Sequence, residues 1–518
     1  MIGRHELRSA AATFLAIAAP LLVMTASAAG QLPGRPEDIK FPDLKYDPPR
    51  AADYRVTLKN GMVAYLVPDR SLPLVTVHVL MRLGPDLDPS GKDGLGEIMV
   101  AQLTRGGAGG MTAEQLEDRV AALGATLDAQ MGGGGRGMMG MGGVPIGPAE
   151  SRVSLNLLAK DLDAGLDLLT ACLKTPAFQE DRLQLAKEQA IQQMKERNDD
   201  TGGIERREWS LLMRGPDHWS NRWTTQASVA GLSRDDLIAQ HRRFVGVKNF
   251  LIAAAGDFER AALVKALEKA FAGWPQPGER PGPPAAPAAP PAPGWYVVDK
   301  DVNQARVSFG LPALDRYDPD FHAALVMNDI LGGGGFTSRL VNRIRSDEGL
   351  AYSVSSRFEG GVYYPEPWRV AFQTKVRSTA FAIQLAMTEI ERMRGELVDE
   401  AALQNSKNKF IESLPAGFET AGAIAGALAA EELTGRYQRD PQYFAKYRER
   451  IRAVTAADVQ RVARRLLDPA HFAFLVVGKV DDVLLGDPKH DVTFTGLAGG
   501  EPTRLPLRDP LTMQPMRP

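Results

Sequence analysis

The chain runs to 518 residues, with 61 Lys+Arg against 63 Asp+Glu and a formal net charge of −2. That length is enough for two or three compact domains, and the near balance of charge, without a block of five like charges, gives no reason to expect a nucleic-acid partner. The lone cysteine, Cys172, excludes an internal disulfide, so packing must supply the stability.

The first residues combine a basic start (Arg4, Arg8), an apolar stretch from about Ala10 to Met24, and small residues at Ala26-Ser27-Ala28. The pattern predicts a signal peptide over 1–28, and with it a periplasmic or secreted bacterial protein. Pro20 interrupts the apolar run, which is short for a span, and no later segment is long and apolar enough, so no membrane span is expected after cleavage.

The stretch YRVTLKNGMVAYLVPD predicts two strands around an Asn60-Gly61 hairpin turn, followed by a β-rich run, LPLVTVHVLMRLG. A helix is expected from about Leu95, and after LEDRVAALGATLDAQ come a strand, SRVSLNLLAK, and a helix, DLDAGLDLLTACLK. Cys172 lies on that helix and reads as a small apolar core residue. A glycine- and methionine-rich patch, residues 131–143, interrupts the hairpin between LDAQ and SRVSLNLL; it reads as a mobile loop, or as an adaptable apolar gate.

Proline-rich residues 275–294 carry no apolar side chain larger than alanine up to Pro293 and read as a stiff, unpacked spacer. They separate a first domain, 45–274, from a second, 295–484, leaving 485–518 as a loose tail. The two domains repeat one unit. LSRDDLIAQHRRFVGVKNFLIAAAGDF aligns without a gap onto VTAADVQRVARRLLDPAHFAFLVVGKV, with identities Asp236/Asp458, Arg242/Arg464, Arg243/Arg465, Phe250/Phe472 and Gly256/Gly478. Each copy opens on an N-cap followed three residues later by an acid and closes in an apolar strand ending on glycine. The expected fold class is therefore α+β: two tandem homologous domains, each an antiparallel sheet with helices packed on one face.

Several chemistries are excluded. The run Gly332-Gly333-Gly334-Gly335 lacks the lysine of a phosphate-binding loop. The seven histidines never fall within five residues of one another, so no paired zinc motif exists. No G-x-S-x-G elbow occurs for a serine nucleophile.

The order of the remaining motifs resembles the insulinase or pitrilysin family of zinc metallopeptidases, in its two-domain branch that includes mitochondrial processing peptidase. The likeness spans nearly all of residues 50–480; its most specific parts are LGGGGFTSRLVNRIRSDEGLAYSVSS and GLGEIMVAQLTRGG. The resemblance implies half of a clam-shell chamber, and it sets the family's inverted zinc motif, H-x-x-E-H, on Glu97, Val100 and Ala101. Two of these cannot bind metal or abstract a proton. A third ligand would fall near Lys195. No metal or cofactor is therefore expected in this chain, and Glu97 is left as a lone solvated or capping carboxylate.

A second constellation survives. The family's Arg and Tyr, seven residues apart, match Arg345 and Tyr352, and the resemblance makes them substrate-binding donors. Read from residues alone, Arg345 pairing with Asp347 or Glu348 is the plainer alternative. Gly332 to Gly335 resemble the loop that helps admit an extended peptide, and equally suit a helix-ending turn. The implied function is a non-catalytic subunit that completes a heterodimeric metallopeptidase, with zinc and its motif supplied by a homologous partner. The alternatives are a non-enzymatic scaffold and a homodimeric peptide-binding chamber of the same fold.

Overall fold

A run of alternating or continuous apolar residues is stable as a strand only if something covers it, and among the described residues such runs pair into two sheets. The computed structural model describes residues 45–132, 146–288, 293–358 and 360–516, of which 48 onward cohere as one unit. The predicted signal peptide and the Gly/Met patch from residue 133 lie outside the described residues.

The first sheet comprises β1 (Arg55–Thr57), β2 (Val63–Pro68), β3 (Leu74–Met81), β4 (Thr126–Met131), β5 (Ser151–Leu158) and β6 (Phe250–Gly256), in the order β1-β2-β6-β3-β5-β4. The second comprises β7 (Gly294–Asp299), β8 (Gln304–Pro312), β9 (Ala351–Phe358), β10 (Pro367–Lys375), β11 (Ala473–Gly478) and β12 (Thr503–Leu505), in the order β12-β7-β11-β8-β10-β9. The orders match from β2/β7 through to β4/β9, so the repeat seen in two segments extends through both halves. The α+β class holds. The sheets themselves are mixed rather than wholly antiparallel, because β2 runs parallel to β6 and β7 runs parallel to β11. In each half the domain-closing strand inserts in the middle of the sheet, and only a parallel neighbour fits on one side of it.

The helices that cover the sheets and wall the clefts are α1 (Leu95–Arg105), α2 (Glu180–Lys195), α3 (Thr201–Arg214), α4 (Arg234–Phe244), α5 (Phe321–Asn328), α6 (Ala421–Leu433), α7 (Arg436–Arg439), α8 (Tyr443–Arg452) and α9 (Ala456–Leu466). The predicted caps are present as reciprocal boxes, Ser233 with Asp236 on α4 and Thr455 with Asp458 on α9, each worth about 1 kcal/mol. Under the first sheet Met99, Leu103, Leu237 and Phe244 pack on Val77, Leu155 and Ile252. Under the second, Val326, Val459 and Val462 pack on Val307, Phe309 and Val476. Each such side chain contributes roughly 1.5–3 kcal/mol relative to exposure.

The opposite face of each sheet is covered by a helix from the other half. α6 lays Ala425, Leu428 and Ala429 against Tyr65, Leu251 and Ala253 of the first sheet; α3 lays Ile204, Trp209 and Met213 against Val298, Leu475 and Val477 of the second. Small residues on both α6 and β6 let the backbones approach, which is why β6 reads FLIAAAG. Each crossing helix also plants a buried carboxylate. Glu432 accepts from Arg55 Nε at 2.8 Å and from the Tyr65 hydroxyl at 2.6 Å. Glu205 accepts from the Ser308 hydroxyl and the Arg369 guanidinium. Expecting helices on one face missed this exchange, since each sheet is sandwiched.

Two segments expected to be free are docked. Pro284 in the proline-rich connection is buried, Pro277 accepts from the Lys248 amide at 2.8 Å, and the carbonyl of Ala285 accepts from Trp219 Nε1 at 3.2 Å. Proline lacks an N–H, so such a segment lies on a surface through its carbonyls without stranding donors. The tail is likewise not loose. β12 adds to the outer edge of β7 in parallel, Arg508 pairs with Glu208 of α3 at 2.7 Å, and Met513 is buried. An uncovered edge strand presents unpaired backbone groups, and the tail takes them. Cys172 is fully buried, and burial pushes its thiol up to about 12, which leaves it chemically quiet.

Candidate functional site

In the first half, α1 begins at Gly94, whose φ of 97° suits glycine. The Asp88 carboxylate caps it, accepting from the Gly94 amide at 2.9 Å and the Gly96 amide at 2.8 Å. Burial nevertheless pushes the Asp88 pKa up to about 7, against the pull of those two donors and of Arg222.

The helical spacing of 97 and 101 turns Glu97 and Ala101 to one side, where they line a cleft of about 780 Å³. Val100 faces the other way and is fully buried in the core. Across the cleft α2 contributes Gln189 and Gln193, and Arg197 follows at its end. Lys195, where the third ligand was placed, is exposed and does not line the cleft; Gln193 and Met194 before it and Arg197 after it do. Solvent reaches Glu97 through the open mouth, yet the surrounding protein raises its carboxyl above the usual range, with Arg197 partly opposing.

This donor set does not suit zinc. Two carboxylates, Glu97 and Glu117, three glutamine amides and four guanidiniums line it; Arg182 holds Glu117 at 3.6 Å and Arg197 acts on Glu97, so the carboxylates are matched by cations rather than gathered into a set of ligands. Among the described residues no cluster of three His, Cys, Asp or Glu forms a metal site anywhere.

In the second half, α5 runs into a wider π turn (Asp329–Gly333) and then a single 3₁₀ turn (Gly335–Thr337). The Gly334 amide donates to Asp329 at 2.8 Å, and the Ser338 hydroxyl donates to the Gly335 carbonyl at 2.7 Å. Of the two expectations for this run, the helix-ending turn is the arrangement seen. Gly332 is buried where a Cβ would come 2.7 Å from the Ser356 amide of β9, so its backbone is not open to a ligand. Gly333 and Gly335 are exposed, and Gly335 holds a φ of 67°.

Beyond that turn a second π turn (Asn342–Asp347) carries Arg345, and Gly349, with a φ of 63°, reverses the chain into β9. Arg345 and Tyr352 are brought together: the guanidinium carbon lies 4.8 Å from the Tyr352 ring centroid. It also lies 4.6 Å from the Phe336 ring, so the arginine is held between two aromatic faces. The pairing of Arg345 with Asp347 or Glu348 is not formed. Arg343 approaches both instead, at 3.9 Å and 3.1 Å. Tyr352 is 84% exposed and Phe336 69%, unusual values for rings of that size, and each stacked cation contributes about 0.5–1 kcal/mol at such a surface. Phe336 was missed in the sequence; the signal was an aromatic directly after the glycines in a polar context. β9 is the outermost strand of the second sheet and pairs only with β10 among the described strands. Arg345 and Tyr352 do not line the Glu97 cleft.

Residues 231–410 match the family profile described as the peptidase M16 inactive domain. A non-peptidase homolog of Helicobacter pylori is 24% identical over 357 residues, covering 67% of this chain and 77% of its own. A probable mitochondrial-processing peptidase subunit beta of Arabidopsis thaliana is 23% identical over 513 residues, covering 92% and 90%. The crystal structure of a peptidase M16 inactive domain from Pseudomonas fluorescens has the same fold, with a TM-score of 0.69 at 21% identity over 82% of this chain and 97% of that one.

Proposed function

We propose, from the premise that this chain carries a peptidase M16 inactive domain, that it is a non-catalytic subunit completing a metallopeptidase with a homologous, zinc-motif-bearing partner. The observation that supports this most is the asymmetry between its two candidate sites: a first-half cleft without a ligand set for zinc, and a second-half pair, the half-buried Arg345 and the exposed Tyr352, in which the arginine is unclaimed by any carboxylate among the described residues.

In this reading the substrate is an extended peptide. It adds along the open edge of β9, where main-chain hydrogen bonds provide affinity without demanding a sequence. The Arg345 guanidinium donates to a peptide carbonyl or carboxylate, the Tyr352 hydroxyl supplies a second donor, and Phe336 holds the guanidinium flat. Gly333 and Gly335 leave room beside that path. The partner brings the metal and the hydrolytic water. The leader read at 1–28 puts the complex in the periplasm or outside the cell.

Co-expression with a zinc-motif homologue from the same source tests the proposal through complex formation, zinc content and peptide cleavage. Cleavage only by the mixture, weakened by Arg345→Ala, is the expected result. A folded chain that neither joins such a homologue nor alters its rate points instead to a scaffold or a homodimeric peptide binder.

A further inference from the structure

A second cleft, also of about 780 Å³, lies in the other half, between residues 316–320 and helices α5, α7, α8 and α9. Arginines dominate its wall, and most are already neutralised. Arg450 pairs with Asp440 at 2.6 Å, Arg461 with Asp320 at 2.8 Å, and Arg436 with Glu431 at 3.0 Å, while Asp318 on the wall is held by Arg465 from outside it at 2.9 Å. Asp458, also on the wall, is taken by Arg461 at 3.2 Å.

Arg316 and Arg439 have no carboxylate partner among the described residues. Arg316 is only 7% exposed; one of its terminal nitrogens donates to the carbonyl and hydroxyl of Thr434 at 2.7 and 3.0 Å and to the Tyr317 hydroxyl at 3.0 Å, while its Nε is buried with no acceptor among the described residues. Arg439 is exposed and lies 3.8 Å over the Tyr317 ring, which Arg316 approaches at 5.1 Å. His322 on α5 adds a second stranded group, a buried Nε2 without a partner. Burial, and then Arg450 and Arg436, depress its pKa to about 4, so the ring is neutral at ordinary pH and its Nε2 is a donor or acceptor by tautomer.

A buried donor left unmade costs about 1–3 kcal/mol, and two guanidiniums without an ion pair of their own, Arg316 eased only by the nearby buried Glu431 carboxyl, stand beside one cavity. An acceptor carrying two negative charges relieves all of these at once. The geometry points to a binding site for a dianionic phosphate group on a small phosphomonoester, held between Arg316 and Arg439 beside the Tyr317 ring, with His322 Nε2–H as a further donor. Guanidinium forks match phosphate oxygens in pairs, and the cleft leaves space for the organic part next to Tyr443, whose ring Arg436 covers at 4.0 Å. This site is independent of the Arg345 region and of the proposed peptidase partner.

Calorimetric titration of the full chain with glycerol 1-phosphate, inorganic phosphate and succinate, at matched ionic strength, tests it. Both phosphates should bind saturably and succinate should not; tighter binding of the ester assigns the organic source, and equal binding assigns free phosphate. Arg439→Gln removes an exposed side chain with no hydrogen bond of its own among the described residues, so it should keep the melting temperature while weakening phosphate about tenfold. Arg504→Gln, on β12, should leave affinity unchanged. Absence of saturable phosphate binding, succinate binding as well as phosphate, or an affinity insensitive to Arg439→Gln would each overturn the assignment.

Discussion

The two halves carry the same strand order and the same capped closing helix, yet at corresponding depth they differ in opposite ways. The first half holds an open-mouthed cleft in which, of the three positions the resemblance gives to a zinc motif, Glu97 and Ala101 reach the wall and Val100 is core. The second half presents Arg345, Tyr352 and Phe336 at an open strand edge, with Tyr352 and Phe336 mostly in solvent. One site is a cleft and the other an open edge. A pocket is maintained by packing that the fold needs in any case, whereas an exposed Arg–aromatic stack adds little to stability and must be explained by what it touches.

The strongest way to break the comparison is to break what makes the halves one body. Glu432→Ala and Glu205→Ala each leave an arginine of the opposite sheet without its buried partner. Each should cost about 3–5 kcal/mol in urea unfolding, with an Arg55→Met/Glu432→Leu double variant recovering much of the first loss. Burial raises the Glu432 carboxyl, but the Arg55 and Tyr65 donors together hold it below the usual range. A carboxylate depressed in the native state contributes stability above its unfolded pKa and loses it as pH falls through the lower, folded value. Acid should therefore loosen the α6 contact, and Glu432→Gln should flatten that limb of the stability profile.

Next in size is an attempt to restore the missing base. Val100→Glu puts a carboxylate where a fully buried valine packs under the first sheet, and should destabilise the chain by about 3 kcal/mol or more without gaining zinc. If the variant stays stable and binds zinc, the first-half cleft is a dormant metal site and the comparison fails. Smaller still is Arg345→Ala in the mixed complex. Loss of one oriented donor should lower peptide cleavage on the order of 100-fold, while the melting temperature of the isolated chain stays put.

Much of the fold was legible because it is written in periodic, local signals. The Asn60-Gly61 turn, the caps at Ser233 and Thr455 and the apolar closing strands all fix their own neighbourhoods. What sequence did not reveal depends on distant parts meeting. The parallel insertion of β6, the exchange of α3 and α6, and the docking of β12 onto β7 carry no mark in their own residues beyond an unusual run of alanines. The candidate site divides the same way. Glu97, Val100 and Ala101 were placed through a motif frame on one helix, whereas α2 could be set only to within a turn. Arg345 and Tyr352 were found through their spacing, and Phe336 was missed because its contact with Arg345 crosses nine residues of irregular chain.

Glu97→Gln is the mildest change and the one that separates a relic from a working group. The surroundings of Glu97 raise its pKa, and Arg197 pulls the other way. An acid whose native pKa is raised favours folding while protonated, and that contribution is lost as pH rises from the ordinary glutamate range through the raised value. Glutamine mimics the protonated form at every pH. Glu97→Gln should therefore match the parent at pH 4 and be marginally more stable at pH 7, by no more than about 0.5 kcal/mol, since solvent reaches the group. Chemical unfolding at the two pH values checks this. A carboxylate that does not touch substrate behaves in that way, and the mixed complex should cleave peptide at the parental rate. A large loss of cleavage with unchanged stability would mean that Glu97 touches substrate, and that the first half kept a polar task as well as a shape.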